Sequence, residues 1–343
     1  MAGNEAPPFW FEEPGWNARV FAPAAWLYGA VARWRMDHAK PAAVAAPVLC
    51  IGNVTVGGTG KTPTALAMAK AALGLGYTPG FVTRGYGGSH IRPHLVNLEH
   101  DTARSVGDEP MLLARAAPTV VSAQRAKSAQ LLIDKGVDFI IMDDGFQSRT
   151  LHIDYALITV DARRGIGNGY VMPSGPLRAP LLDQMRLADA VLRIGDGNRG
   201  DRVVRAASRA AKPVMSARLK PANVREISGK KVLAYTGIGD PQKFYDTLST
   251  FGCWLSATKS FGDHHMYSEA DAKSLMARAD EERLELVTTE KDVVRLSHQS
   301  GPLAELKQRT HVLPVTLEFE VKTDPAAIIA KTLDAYQKRR LAV

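Results

Sequence analysis

The sequence predicts an α/β fold: a mostly parallel sheet with helices on both faces, joined by a two-stranded link to a smaller second α/β unit. Three observations carry this expectation. Short apolar runs alternate with longer helix-compatible stretches through the first part of the chain, the pattern of buried parallel strands and their crossovers. Two of those runs end in chemistry: residues 48–51 open onto a glycine-rich loop, and residues 137–142 end in Asp143-Asp144. Two period-two segments flanked by prolines, 214–219 and 315–319, bracket the second unit and can pair with each other. A length of 343 residues also exceeds what one core usually organises.

The composition sets limits. An apolar fraction of 45% supplies ample material for cores. Two cysteines, Cys50 and Cys253, lie far apart, which argues against a disulfide framework or a zinc site and suits a reducing compartment. The net charge of +8 suits an anionic partner, either a phosphate compound or an acidic lipid surface. Nucleic acid is not expected, because the chain lacks an RNA-recognition aromatic motif, zinc-finger spacing or a long Lys/Arg block.

In chain order, the N-terminus carries Glu5, Glu12 and Glu13 among prolines and does not read as a secretory signal. Residues 20–32 are apolar but contain Pro23 and fall short of the ~20 residues needed to span a bilayer. From Ala24 a helix aligns Leu27, Ala30, Val31 and Trp34, with Arg33 and Arg35 beside them and Trp10, Trp16 and Trp26 nearby. Such a helix either lies in a membrane interface or packs on the core.

Next comes Thr55-Val56-Gly57-Gly58-Thr59-Gly60-Lys61-Thr62, a strand-to-helix loop. Glycines turn backbone N–H groups toward phosphate, the helix start adds its dipole, Lys61 reaches the outer phosphates and Thr62 can hold Mg²⁺. Thr55 stands where the general phosphate-loop pattern has its first glycine. The helix runs to about Leu75, and residues 80–83 form a strand ending in Arg84-Gly85-Tyr86-Gly87-Gly88, either a ligand-contacting turn or a flexible connector.

Asp108, within Gly107-Asp108-Glu109-Pro110, reads as a helix N-cap that is also placed to act as a base on a substrate hydroxyl. Residues 119–122 form a strand, and Arg125 sits in the first turn of the helix that follows, where a cation makes sense if an anion binds there. The strand ending in Asp143-Asp144 is the acidic partner of the phosphate loop: Asp143 would hold Mg²⁺ and Asp144 would support it. Gln147 puts an amide near the same edge. Another strand spans 155–160. The second unit contains strands at 231–235 and 284–289 and helices at 241–251 and 268–283, and a last helix at about 325–340 returns to the first domain. Adjacent His264 and His265 are not read as a metal site. The divisions follow: 1–213 for the phosphate-loop domain with its N-terminal amphipathic helix, 214–321 for the smaller domain with its connecting strands, and 322–343 for the returning helix.

Taken together, residues 52–63, Arg84-Gly85-Tyr86-Gly87, Gly107-Asp108-Glu109-Pro110, Asp143-Asp144-Gly145-Phe146-Gln147, Asp263-His264-His265 and Thr289-Glu290-Lys291-Asp292 resemble the tetraacyldisaccharide 4'-kinase family of lipid A biosynthesis. The resemblance runs in order along nearly the whole chain. It implies a peripheral kinase on the cytoplasmic face of the inner membrane, transferring the ATP γ-phosphoryl group to the 4'-hydroxyl of an acylated disaccharide lipid with Mg²⁺. By analogy Lys61 and the loop 55–62 bind nucleotide, Thr62, Asp143 and Asp144 form the metal environment, Arg125 and Gln147 line the site, and Asp108 is the base with His264 as its partner.

One departure stands out. The family usually has Pro-Leu-Arg-Glu-Pro where this chain has Pro176-Leu177-Arg178-Ala179-Pro180, so a carboxylate expected near the metal is missing. A second class, a nucleotide switch or partner-positioning ATPase, would make no lipid product.

Overall fold

A computed structural model describes residues 6–85, 88–222 and 226–342, which leaves Glu5, Tyr86 and Gly87 of the motifs above outside the described residues. Helices α1 (Trp16–Val20) and α2 (Ala22–Asp37) precede β1 (Val48–Asn53), the glycine loop and α3 (Lys61–Gly74). There follow β2 (Pro79–Thr83), the two-residue β3 (His94–Leu95), α4 (Ala103–Val106), α5 (Asp108–Ala114), β4 (Thr119–Val121), α6 (Arg125–Ile133) and β5 (Phe139–Asp143). Next come β6 (Tyr155–Asp161), α7 (Leu181–Leu187), β7 (Ala190–Ile194), α8 (Asp201–Arg209) and β8 (Val214–Pro221). The second lobe holds β9 (Lys231–Thr236), α9 (Pro241–Thr250), β10 (Trp254–Ser260), α10 (Glu269–Glu282), β11 (Glu285–Thr289), α11 (Glu290–Arg295), α12 (Pro302–Arg309) and β12 (Thr310–Leu313). Finally β13 (Val315–Phe319) and α13 (Asp324–Leu341) lead back.

Nine strands form the larger sheet in the order β13-β8-β7-β6-β1-β5-β2-β4-β3. Its interior pairs are parallel, while the outermost pairs, β13 with β8 and β3 with β4, are antiparallel. The smaller sheet, β10-β9-β11-β12, is wholly parallel. The linking strands β8 and β13 pair with each other, with Leu219 opposite Leu317, and β8 also pairs with β7, so the link is built onto the edge of the larger sheet.

β1 has no exposed residue, and its side chains alternate between two cores. Cys50 joins Val82, Ile140, Met142 and Ile158 on the face covered by α6, α7 and α8. Leu49 and Ile51 join Phe81, Ile141 and Leu157 on the other, where Ala65, Met68, Ala69 and Ala72 of α3 and Ile328 and Ile329 of α13 pack. Each fully buried Leu, Ile or Phe there contributes about 1.5–3 kcal/mol, making these strands a rigid floor. Because β1 lies between β5 and β6, with Ile51 opposite Asp143, the loop after β1 and the acids ending β5 emerge at one sheet edge.

Two local expectations are corrected. The N-cap of α5 is Gly107, whose φ of 97° lies in the region glycine favours, and Asp108 is the first helical residue, with its Oδ1 accepting the Glu109 N–H at 2.9 Å. Trp10 is buried rather than grouped with the exposed tryptophans, because its Nε1 donates to the Pro173 carbonyl at 2.9 Å.

Candidate active site

The glycine loop is held open by its surroundings. Asn53 Nδ2 donates to the Thr55 carbonyl at 2.6 Å, the Val56 N–H donates to the Pro176 carbonyl at 2.8 Å, and Thr59 Oγ1 meets Thr159 Oγ1 at 2.8 Å. Gly60 caps α3 in the left-handed region (φ 82°), and a Cβ there would sit 2.8 Å from Ile194 Cδ1, so only glycine fits. Val56, Gly57, Gly58, Gly60, Lys61 and Thr62 line a cavity of about 1600 Å³. Thr55 and Thr59, expected among the nucleotide-contacting groups, do not line it: both are buried in the frame that shapes the loop.

The two acids after β5 have different surroundings. Asp143 is fully buried and, among the described residues, neither carboxylate oxygen has a hydrogen-bond partner, an arrangement that is costly unless a cation completes it. Burial, with the Glu109 charge added, pushes its pKa up to about 7 although Lys61 pulls it down. Asp144, with φ 54°, faces the cleft and is already engaged. Arg178 grips it with two bonds of 2.8 and 3.2 Å, and Lys61 Nζ lies 3.8 Å away. Burial opposes ionisation of Asp144, but Lys61 and Arg178 more than offset it and bring the pKa to about 2.

Arg125 does not line the cleft as expected. It is 4% exposed, and its Nη2 donates to the Asp144 carbonyl at 2.6 Å, so it fixes the backbone that carries the acids. Gln147 does line the cleft, donating to the Asn53 carbonyl at 2.7 Å and to Gln184 Oε1 at 2.9 Å. Position 179 is a fully buried methyl group, so no carboxylate comes from there.

The opposite wall comes from the second lobe. Asp108, 4% exposed, meets His264, which lies 156 residues away in sequence: Asp108 Oδ2 is 3.1 Å from His264 Nδ1. His264, like Asp144, is a non-glycine residue at positive φ (58°), a conformation that costs energy and concentrates at functional sites. The Asp108 hydrogen bond raises the His264 pKa. Burial opposes ionisation of Asp108, but His264, Arg295 and Lys291 hold its carboxyl far below the usual carboxylate range. Beside this pair, Lys291 Nζ bonds Glu109 Oε1 at 2.5 Å. On the far side of the cleft Asp161 pairs with Lys243 at 2.8 Å and Arg163 with Asp246 at 2.7 Å, so charged contacts bridge the lobes at both ends.

The cavity also reaches Tyr28, Val31, Trp34 and Arg35 of α2. On that N-terminal segment Trp16, Trp26, Trp34 and Leu27 are 77%, 76%, 61% and 59% exposed. No helix among the described residues is long and apolar enough to cross a membrane. Away from the cleft, His90, His94 and Asp101 bring ligand atoms within 4.8 Å of one another. The two rings are stacked 5° from parallel, so their lone pairs do not converge, and Asp101 is taken up by His94 and the Asn97 N–H.

Sequence reasoning missed the grip of Arg178 on Asp144, the Lys291–Glu109 pair and the buried Arg295. Lys291 and Glu109 stand inside motifs, which was the available signal. Arg295 offered none.

Comparison with known proteins gives a consistent result. The family profile described as tetraacyldisaccharide-1-P 4'-kinase (LpxK) matches residues 17–334. The tetraacyldisaccharide 4'-kinase of Chelativorans sp. (strain BNC1) is 51% identical over 341 residues, covering 99% of each chain. That of Brucella melitensis biotype 2 is 50% identical over 338 residues, covering 98% of this chain and 99% of its own. Among solved structures, the "apo" form of LpxK from Aquifex aeolicus in complex with ATP superposes with a TM-score of 0.70 at 23% identity, covering 92% of this chain and 99% of that one.

Proposed function

This chain belongs to the tetraacyldisaccharide-1-P 4'-kinase family, and from that premise we propose how its residues transfer the γ-phosphoryl group of ATP to the 4'-hydroxyl of an acylated disaccharide 1-phosphate lipid. It is a phosphotransferase of lipid A biosynthesis rather than a nucleotide switch. The observation that carries the residue assignment is the meeting of Asp108 and His264 between the lobes: His264 lines the cavity that the phosphate loop also lines, and Asp108 is buried behind it.

The N–H groups of the glycine loop and the start of α3 cradle the phosphates, and Lys61 neutralises charge on the transferring group. Thr62 and Asp143 would hold Mg²⁺: the unpartnered, buried carboxylate of Asp143 fits a cation, and Asp144 supports the site while anchored by Arg178. Bound there, Mg²⁺ supplies charge neutralisation on the phosphate oxygens. Asp108 and His264 receive the hydroxyl proton, late in a transfer whose transition state is loose. The cavity of about 1600 Å³ exceeds the ~300–1,000 Å³ of drug-sized sites and suits a substrate with acyl chains.

The exposed tryptophans of α1 and α2, with Arg19 and Arg35 beside them, would rest on the cytoplasmic face of the inner membrane and let the lipid enter along α2. The direct test is incubation of the protein with labelled ATP, Mg²⁺ and the acylated disaccharide 1-phosphate. A labelled lipid carrying phosphate at the 4' position is the expected product. Hydrolysis of ATP that is independent of the lipid would reject the reading.

A further inference from the structure

Resting on the kinase reading above, we infer that Arg295 is a positioning residue for the Asp108–His264 pair, transmitting the geometry of the second lobe to the carboxylate. Arg295 lies at the end of α11, and its side chain is 1% exposed. Its Nε donates to Asp108 Oδ2 at 2.9 Å and its Nη2 bonds the same oxygen, while Nη1 donates to the Gly237 carbonyl at 2.7 Å and to Asp292 Oδ1 at 2.9 Å. Two N–H groups of one planar guanidinium on a single oxygen fix where Oδ2 sits beside His264, which the point charge of a lysine cannot reproduce.

Arg295 is itself rigidly rooted. Asp292 is fully buried and accepts from Thr236 Oγ1 (2.6 Å), Gly237 N–H (2.9 Å), Tyr267 O–H (2.8 Å) and Thr289 Oγ1 (2.6 Å). A Cβ on Gly237 would stand 3.1 Å from Arg295 Nη1, so the turn after β9 stays open to the guanidinium. The same turn receives the His264 N–H on its Gly237 carbonyl at 3.0 Å. One buried network therefore fixes both partners of Asp108.

The cations around Asp108 share an origin. It is faced by His264 from the loop after β10 and by Arg295 and Lys291 from α11, all in the second lobe, with Glu109 its charged neighbour on α5 and Asp292 behind Arg295. Three donors converge on Oδ2, while Oδ1 takes the Glu109 N–H. Asp108 is thus held in place by donors that reach it only where the second lobe sits against α5.

The test is the pH profile of kcat at saturating MgATP for the full-length protein, with Arg295→Lys and Arg295→Ala beside Asp108→Ala. In Arg295→Lys, kcat should fall about tenfold or more, KM for ATP should stay within about twofold, and the acid limb should move to higher pH as the carboxyl loses its grip. Arg295→Ala should be worse on each count, with lysine partly rescuing it. Arg295→Lys decides the matter if the alanine variant does not fold. Wild-type kcat with an unmoved acid limb in Arg295→Lys overturns the proposal, as does a loss of kcat that leaves the profile unshifted, which would mark a merely structural arginine. Failure of the underlying reading looks different: Asp108→Ala would then keep its turnover.

Discussion

Replacing Asp143 by asparagine should make the metal-free protein more stable while disabling it. The carboxylate is fully buried, neither oxygen has a partner among the described residues, and its pKa is raised to about 7 from an ordinary value of about 3.9. At about 1.4 kcal/mol per tenfold, that difference corresponds to an upper limit on the order of 4 kcal/mol against the folded state once the group is ionised. The native protein retains the proton longer than the unfolded chain, so stability from this site is lost as pH rises from about 3.9 to about 7 and changes little beyond. Asparagine removes that dependence but leaves its own amide short of partners, at about 1–3 kcal/mol. Thermal melts in EDTA should therefore show the variant overtaking the wild type between pH 4 and pH 7 and staying ahead at pH 8. MgATP should then stabilise the wild type and not the variant. A melting difference that is flat with pH, or a variant less stable than wild type at pH 8 in EDTA, would refute this account of Asp143.

Other expectations follow from the same geometry. Lys61→Ala should lower kcat by about 10²-fold or more with the fold retained, since in the proposed mechanism the ammonium neutralises charge on the transferring group; near-normal turnover would remove the loop from the mechanism. Deleting residues 9–36 should release the protein from liposomes and leave ATP binding intact, and persistent liposome binding would point to another surface. The Asp108–His264 contact should weaken at alkaline pH. His264 has a raised pKa, so its charge contribution to stability is fully present below about 6.5 and is lost as pH rises through the folded value. A stability double-mutant cycle at pH 6 and pH 9 should show the coupling, on the order of 1 kcal/mol, shrinking at the higher pH.

The parts legible in the sequence were those whose chemistry is local. The glycine loop before Lys61 and the apolar run into Asp143 each announce themselves within a dozen residues. The strands β7, β10 and β12 did not: only Ala188 and Asp189 separate α7 from β7, and β10 is largely exposed, with Trp254, Ser256, Lys259 and Ser260 outward. Long-range roles were hidden for a different reason. Thr55, Thr59 and Arg125 stand in or beside motifs, yet their partners Leu177, Thr159 and the Asp144 carbonyl come from other elements and turn them into frame residues. Arg295 has its meaning only through Asp108, 187 residues away.

The account rests on one contact, Asp108 with His264 across the two lobes. The kinetics of Asp108→Ala, His264→Ala and the double variant, on lipid acceptor and ATP, measure it most directly. If the two residues act as a unit, each single variant should lose most of the turnover, and the double variant should be little worse than the more damaging single one. Losses that multiply would mean two independent residues and would contradict a base assembled from both lobes.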